Sequence, residues 1–359
     1  MRRFVPLVCK GWAELYRSQD ASPLHETLLV DFYEEVKALR PATKKRDPPH
    51  PFVRASRVIS WAERHASSVR KLCLAGAFDG ALQSFSLEDL GTLVAIDGSF
   101  LTALRIGPDL YELCQEPFWE SLRDSVAPHG RLCSFVVEGI ASVVNESDVE
   151  PLGQLAGTLE ELVLETPVGR PIDLLEGLWR FPEFFCTLTE LRRLVLSGHQ
   201  RMTAVPAAIS SLKKLQDLEL TCDLASLPKE LGELTGLTKL NLAFNDELAI
   251  RIPADDALPT ESGKLRSLRI VNLVGCAFET VPAFLGELQS LELLDLSSND
   301  DLQIVVPLDF LVEGCPRLRE VNLRKGRAPW SPWTPESRAH LEAFKPRLLA
   351  KNLNAKVKY

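Results

Sequence analysis

Six histidines, eight cysteines and two adjacent aspartate pairs are the groups in this 359-residue chain whose types could carry chemistry. The histidines, at 25, 50, 65, 129, 199 and 340, stand far apart, and none falls in a His-Glu-x-x-His or His-x-His spacing. No metal site is expected from them. No Cys-x-x-Cys pair is present, and Cys73, Cys133, Cys222 and Cys276 lie inside or just after apolar blocks, where a reduced thiol is a small core residue. Asp255/Asp256 and Asp300/Asp301 lack the alternating ligand spacing of a calcium loop and read as solvated turn acids. Ser262-Gly263-Lys264 looks like the tail of a phosphate-binding loop, but the upstream glycine is missing. With no Gly-x-Ser-x-Gly elbow and no Gly-x-Gly-x-x-Gly turn, the sequence predicts a protein that is not an enzyme and uses neither cofactor nor metal.

What remains is surface recognition, and its residues are positioned by a repeat. Pro182, Pro206, Pro228, Pro259 and Pro282 each precede by nine positions the leucine that opens an apolar Leu-x-x-Leu-x-Leu block, at 191, 215, 237, 268 and 291. Between proline and block runs an apolar ladder, for example Leu227, Leu231, Leu234, Leu237, Leu240 and Leu242. The end of each block alternates with a period of two, so Leu240 and Leu242 face a core while Lys239, Asn241 and Ala243 face outward. Block openings 24, 22, 31 and 23 residues apart describe one strand per coil and a shared parallel sheet. Weaker blocks at 69–74, 101–106, 132–137, 159–164 and 318–323 bring the expected count to ten strands.

The segment LPKELGELTGLTKLNLAFN, Leu227 to Asn245, resembles the leucine-rich repeat family in its Leu-Pro, plant intracellular Ras-group-like form. CPRLREVNL from Cys315 resembles the cysteine-containing repeats of F-box proteins. The resemblance implies an α/β leucine-rich-repeat solenoid, with a curved parallel sheet on the concave side and helices, 3-10 turns and irregular segments on the convex side. It also implies that the ninth block residue satisfies backbone groups at the turn. Asn245, Asn299 and Cys276 match that position, whereas His199, Asp223 and Gly326 depart and suggest looser turns.

On the expected concave face the middle outward column reads Cys73, Arg105, Val136, Val163, Val195, Glu219, Asn241, Asn272, Asp295 and Asn322, wholly polar from Glu219 onward. Core packing does not require such a run. Ile270, Val274 and Leu293 are expected to form a small apolar anchor, ringed by Asn241, Asn272, Asp295 and Asn322, with Lys239, Glu320 and Arg324 on the rim, and Glu219 is a further partner-binding position on the same face. The insertion from Asp246 to Ala257 is expected to project as a loop at the sheet edge.

Residues 1–36 read as a truncated F-box-like helical segment and exit strand, on the resemblance of Leu7-Val8-Cys9-Lys10, Trp12, Leu15 and Leu28-Leu29-Val30 to the second half of an F-box. Phe4, Leu7, Val8, Trp12 and Leu15 fall at helical spacing and, by that resemblance, would contact a Skp1-like adaptor. The opening helix with its Leu-Pro motif is missing, and the same apolar stripe suits a plain solenoid cap. A linker at 37–51, degenerate leading repeats at 52–158, regular repeats at 159–327 and a capping segment at 328–359 complete the expected organisation. In the cap, Thr334, Pro335 and Glu336 start a helix with Leu341, Phe344 and Leu348 inward, and Trp330, Pro332 and Trp333 cover the last coil.

A net charge of −8 with both signs interspersed gives no nucleic-acid footprint, and no apolar run is long enough for a membrane span or signal peptide. The expectation is a cytoplasmic, non-catalytic module for an unidentified protein partner, the substrate-recognition part of an F-box-type ubiquitin ligase receptor. The alternative is a scaffold in small-GTPase signalling or on the cytoskeleton or axoneme.

Overall fold

The computed structural model describes residues 27–31, 71–75, 101–107, 116–138, 146–166, 177–250, 264–326, 332–352 and 354–359, with scattered positions between 59 and 95. Two compact units divide the chain, Met1–Gly177 and Leu178–Tyr359. In the first, strands β1 (Thr27–Asp31), β2 (Lys71–Ala75), β3 (Ala103–Ile106), β4 (Ser134–Glu138) and β5 (Glu161–Glu165) pair in sequence order, all parallel. The second holds β6 (Arg193–Ser197), β7 (Asp217–Thr221), β8 (Lys239–Asn241), β9 (Ile270–Asn272), β10 (Leu293–Asp295), β11 (Glu320–Asn322) and β12 (Lys356–Lys358), again parallel and in order.

One strand per coil, stacked in sequence order, is the leucine-rich-repeat solenoid. All ten expected strands are present. The expected exit strand at Leu28–Val30 is β1, and β12 is an addition that carries no leucine block.

The proline offset has a local cause. Pro182, Pro206, Pro228 and Pro282 stand in extended conformation immediately before the 3-10 turns Glu183–Thr187, Ala207–Ser211, Lys229–Glu233 and Ala283–Glu287. A residue at that cap has no use for its own N–H, so proline costs nothing there and presets φ. Each proline carbonyl accepts from the residue three places on, as in Leu231 N to Pro228 O at 3.0 Å. Leu231, Leu234, Leu237, Leu240 and Leu242 are all buried, so each coil closes on its own rungs and on those of its neighbours.

Asparagine joins consecutive coils. Asn245 is fully buried; its amide donates to Leu220 O and Leu242 O, both at 2.7 Å, and its Oδ1 accepts from Leu224 N at 2.9 Å and Cys222 N at 3.3 Å. Asn299 repeats the pattern, donating to Leu273 O (2.9 Å) and Leu296 O (2.8 Å) and accepting from Cys276 N and Phe278 N, both at 3.0 Å. Cys276 donates to Leu242 O at 3.0 Å, serving the same carbonyl position with a thiol. Where Asp223 departs from the pattern, Cys222 one residue earlier donates to Leu196 O at 3.3 Å.

The turns at the other departures are therefore occupied by different groups, not loosened. His199 is fully buried and its Nδ1 accepts from Leu178 N at 3.2 Å, and Gly326 N donates to Asp300 Oδ1 at 2.5 Å. The residue before this position adopts positive φ at Gly198, Phe244, Gly275 and Ser298. Phe244 holds that conformation with its side chain largely exposed, which for a bulky residue costs of order 1–3 kcal/mol.

Burial pushes the Cys276 thiol up to about 12 and raises Cys222 further, and Cys186 and Cys315 rise to about 11. A thiol whose pKa is higher folded than unfolded contributes stability that is complete below the unfolded value, about 8.5, and is lost as pH rises through the folded one. Urea midpoints are accordingly expected to fall between pH 7.5 and pH 10, with about 1.4 kcal/mol per pH unit as the limiting slope for each thiol. Cys276→Ser, which keeps the donor but does not ionise in that range, should flatten the slope; an unchanged slope would remove the thiol as its source.

A helix and an aromatic run are both expected at the last coil, and the helix is present as expected. Helix α1 (Pro335–Lys351) is capped by Thr334, whose Oγ1 accepts from Ser337 N at 3.1 Å, and Leu341, Phe344 and Leu348 are buried. Ser337 Oγ donates to Gln303 Oε1 and accepts from Ile304 N, both at 2.9 Å, fastening the helix to the preceding coil. Pro332 is exposed, Trp333 is half-buried with Lys325 Nζ 4.6 Å from its ring centre, and Trp330 lies outside the described residues.

Candidate interaction face

The open face of the second unit is built from rows that cross the strands. At the third block position the register aligns Arg193, Asp217, Lys239, Ile270, Leu293, Glu320 and Lys356. Ile270 is 38% exposed and is the register partner of half-buried Leu293. Strands about 4.8 Å apart place two such side chains in contact. Charges flank this pair: Asp217 lies 3.4 Å from both Arg193 and Lys239, Lys239 is 3.4 Å from Glu219, and Glu320 is 2.6 Å from Lys358.

The next row reads Val195, Glu219, Asn241, Asn272, Asp295, Asn322 and Lys358. Its polar run has a backbone use. The side-chain oxygens of Asn241, Asn272, Asp295 and Asn322 accept from the N–H two residues on, at Ala243 (3.1 Å), Val274 (3.2 Å), Ser297 (2.9 Å) and Arg324 (3.4 Å). An Asx side chain that captures that N–H takes it out of the ladder. Strands β6 and β7, with Val195 and Glu219 in this row, run for five residues, whereas β8 to β11, with Asn or Asp, stop at three. Asn322 also donates to Asp295 Oδ2 at 2.9 Å, so these side chains are held in place.

Val274 and Arg324 lie four residues beyond Ile270 and Glu320, about 13 Å along an extended chain. The apolar pair is therefore Ile270 and Leu293, with Val274 at the strand's other end. Ala243, expected outward, is buried. The middle-column valines are also buried: Val136 and Val163 in the first unit are 4% and 2% exposed, and Val195 in the second is 0% exposed. Arg105 is exposed and ion-paired with Glu138. The Cys73 side chain, the adaptor-contact candidates Phe4, Leu7, Val8, Trp12 and Leu15, and positions 251–257 of the insertion lie outside the described residues. The start of that insertion forms one helical turn, Glu247–Ile250, with Leu248 buried.

A feature that block reading overlooked is a groove of about 810 Å³ on this face. It is lined by the second and third block positions, from Arg192 and Arg193 through to Asn354 and Lys356. At the second position Glu292 is gripped from both sides, 2.6 Å from Arg269 and ion-paired with Arg319. The Arg269 hydrogen bond first, then the charges of Arg269, Arg319 and Arg317, hold its carboxyl below the usual value despite desolvation. Reading every block column across the register, and not the middle one alone, would have exposed this row. Among the described residues no cluster of His, Cys, Asp or Glu could hold a metal ion, and no helix is long and apolar enough to cross a membrane.

No family model matches the chain, and no curated protein matches it. Among solved structures it is similar to the leucine-rich repeat domain of the type III effector XopL, at 17% identity and a TM-score of 0.47 over 89% of this chain and 97% of that one. An internalin from Listeria monocytogenes gives 15% identity and a TM-score of 0.46 over 82% and 81%. A leucine-rich repeat protein of Leptospira interrogans gives 16% and 0.32 over 84% and 98%.

Proposed function

We propose that this protein is a non-catalytic interaction module that holds a protein partner on the open sheet face of its second unit. The observation that carries the reading is the apolar pair Ile270/Leu293 set in a row of charged side chains with defined partners. Desolvated apolar centres within polar rims are where interface energy concentrates. Lys239, Glu219 and Glu320 form the near rim; Asn241, Asn272, Asp295 and Asn322, fixed by backbone hydrogen bonds, give a second row with little ordering cost on binding.

The finer reading is a cytoplasmic substrate receptor of an F-box-type ubiquitin ligase. It is supported by the residue pattern at Leu7-Val8-Cys9-Lys10, Trp12 and Leu15, followed by β1. Chemistry would then belong to other subunits of the ligase.

The face is tested by Ile270→Ser combined with Leu293→Ser in the tagged full chain. Loss of captured partners is expected at unchanged thermal stability, and a folded double variant that keeps every partner would overturn the face. The ligase reading is tested separately by co-purification of a Skp1-like adaptor, expected to disappear in Trp12→Ala with Leu15→Ala. Recovery of a small GTPase or tubulin without that adaptor would favour the scaffold.

A further inference from the structure

We propose that the groove across the starts of β6 to β12 takes an extended acidic segment of a partner protein, with one aliphatic side chain seated on Ile270 and Leu293. This rests on the interaction-module reading above and assigns its partner's chemistry.

The argument starts from sign. Arg192, Arg193, Lys239, Arg269, Arg319 and Lys356 line the groove against three acids, Asp217, Glu292 and Glu320, an excess of three positive charges in a chain of net charge −8. The local sign opposes the global one. Charges beyond about 8 Å are screened at physiological salt, so a segment lying in the groove meets its cations and not the net charge.

The arrangement also favours keeping the cations in place. Asp217 is shared by Arg193 and Lys239, and Glu292 by Arg269 and Arg319. Glu292 therefore orients two cations while neutralising one, which leaves positioned charge for a ligand carboxylate to complete, whereas Lys239 is balanced by Glu219 as well as Asp217. Guanidinium groups are suited to planar two-point recognition of carboxylates.

Length and order follow from the register. Six inter-strand steps of about 4.8 Å span about 29 Å, the reach of about nine extended residues. Along the row the apolar pair sits in the interior, with Arg193, Asp217 and Lys239 on one side and Glu320 and Lys356 on the other. The matching ligand is an aliphatic residue within a run of Asp and Glu. A nucleic-acid strand, with a phosphate at every step, could not avoid Asp217 and Glu320 and would leave the apolar pair unused, whereas a peptide can set neutral residues opposite those two acids.

The test is to pan a phage-displayed library of random peptides, about a dozen residues long, against the full chain. Retained sequences would be measured by fluorescence anisotropy on the parent and on Arg269→Glu with Arg319→Glu. Expected are peptides rich in Asp and Glu around an aliphatic residue, weakened about tenfold or more by the charge reversal, by added salt and by Ile270→Ser with Leu293→Ser. If reversal beside Glu292 unsettles the fold, Lys356→Glu, exposed at the far end of the row, should weaken the same peptides.

Retention of basic or neutral peptides, or of acidic ones indifferent to these variants, would overturn the groove assignment and leave the interaction module standing. Tighter binding of oligo-dT than of any peptide, lost on charge reversal, would overturn it in favour of nucleic acid. Retention of no peptide at all would also overturn it.

Discussion

Replacing Gly314 with alanine is expected to lower the thermal midpoint more than replacing Gly286 or Gly236, at a cost of about 3 kcal/mol. Gly314 ends the helical turn Asp309–Gly314, which lies over the 3-10 turn Ala283–Glu287 of the preceding coil. A Cβ at 314 would stand 1.7 Å from Gly286 O and 2.7 Å from Gly286 C. Both are backbone atoms, so no rotamer change relieves the overlap and the two coils must separate. Gly286→Ala meets Phe310 Cδ2 at 2.7 Å, an atom of a side chain that can turn, and backbone no nearer than Phe310 O at 3.1 Å, and is expected to cost less. Gly236→Ala meets nothing nearer than 3.5 Å and should lie within about 0.5 kcal/mol of the parent. Urea unfolding followed by circular dichroism ranks the three; equal effects at 314 and 236 would show that the coils tolerate a methyl group there.

Asn299→Ala is the second large effect, expected at about 3–5 kcal/mol because it strands two buried carbonyls and two buried N–H groups. Asn299→Cys should recover part of the loss, since Cys276 shows that a thiol at this position reaches the carbonyl of the preceding coil. It cannot replace the acceptor for Cys276 N and Phe278 N. An alanine variant as stable as the parent would mean that those four groups find partners by relaxation, and a cysteine variant no better than alanine would assign the loss to the acceptor side alone.

These costs bear on how far the chain could be read without coordinates. Leucine rungs and the proline offset report directly on burial and backbone conformation, and both are local, so all ten repeat strands were legible from spacing. β12 was not, because Lys356-Val357-Lys358 owes its place to pairing with β11 and to α1 rather than to its own pattern. Cys222 was placed as a core-compatible residue, but its stand-in role beside Asp223 was hidden, since a donor shifted by one residue satisfies the same carbonyl only in three dimensions.

The candidate site was legible in part. Ile270 and Leu293 were identifiable because alternation alone turns them outward. The Asn and Asp row was visible as a departure from apolar composition, yet its grip on the N–H two residues on depends on the strand ending there, which alternation does not encode. The groove escaped notice because Glu292, Arg269 and Arg319 sit at block position two, where consecutive coils carry different residue types. Only the register shows that they share one carboxylate.

Where the asparagine and cysteine donors of this row cross between coils, they point the same way, from a later coil to the one before it: Cys222 to Leu196, Asn245 to Leu220, Cys276 to Leu242, Asn299 to Leu273. The stack therefore has a polarity that its symmetric leucine rungs lack. Peeling coils away from the high-numbered end strips each survivor of the group that finished its last turn. Peeling from the low-numbered end frees only a side chain, which can turn to solvent. Fraying is thus costlier in one direction than the other, and the fastening of α1 by Ser337 and Gln303 guards the end where unravelling would leave the deeper deficit.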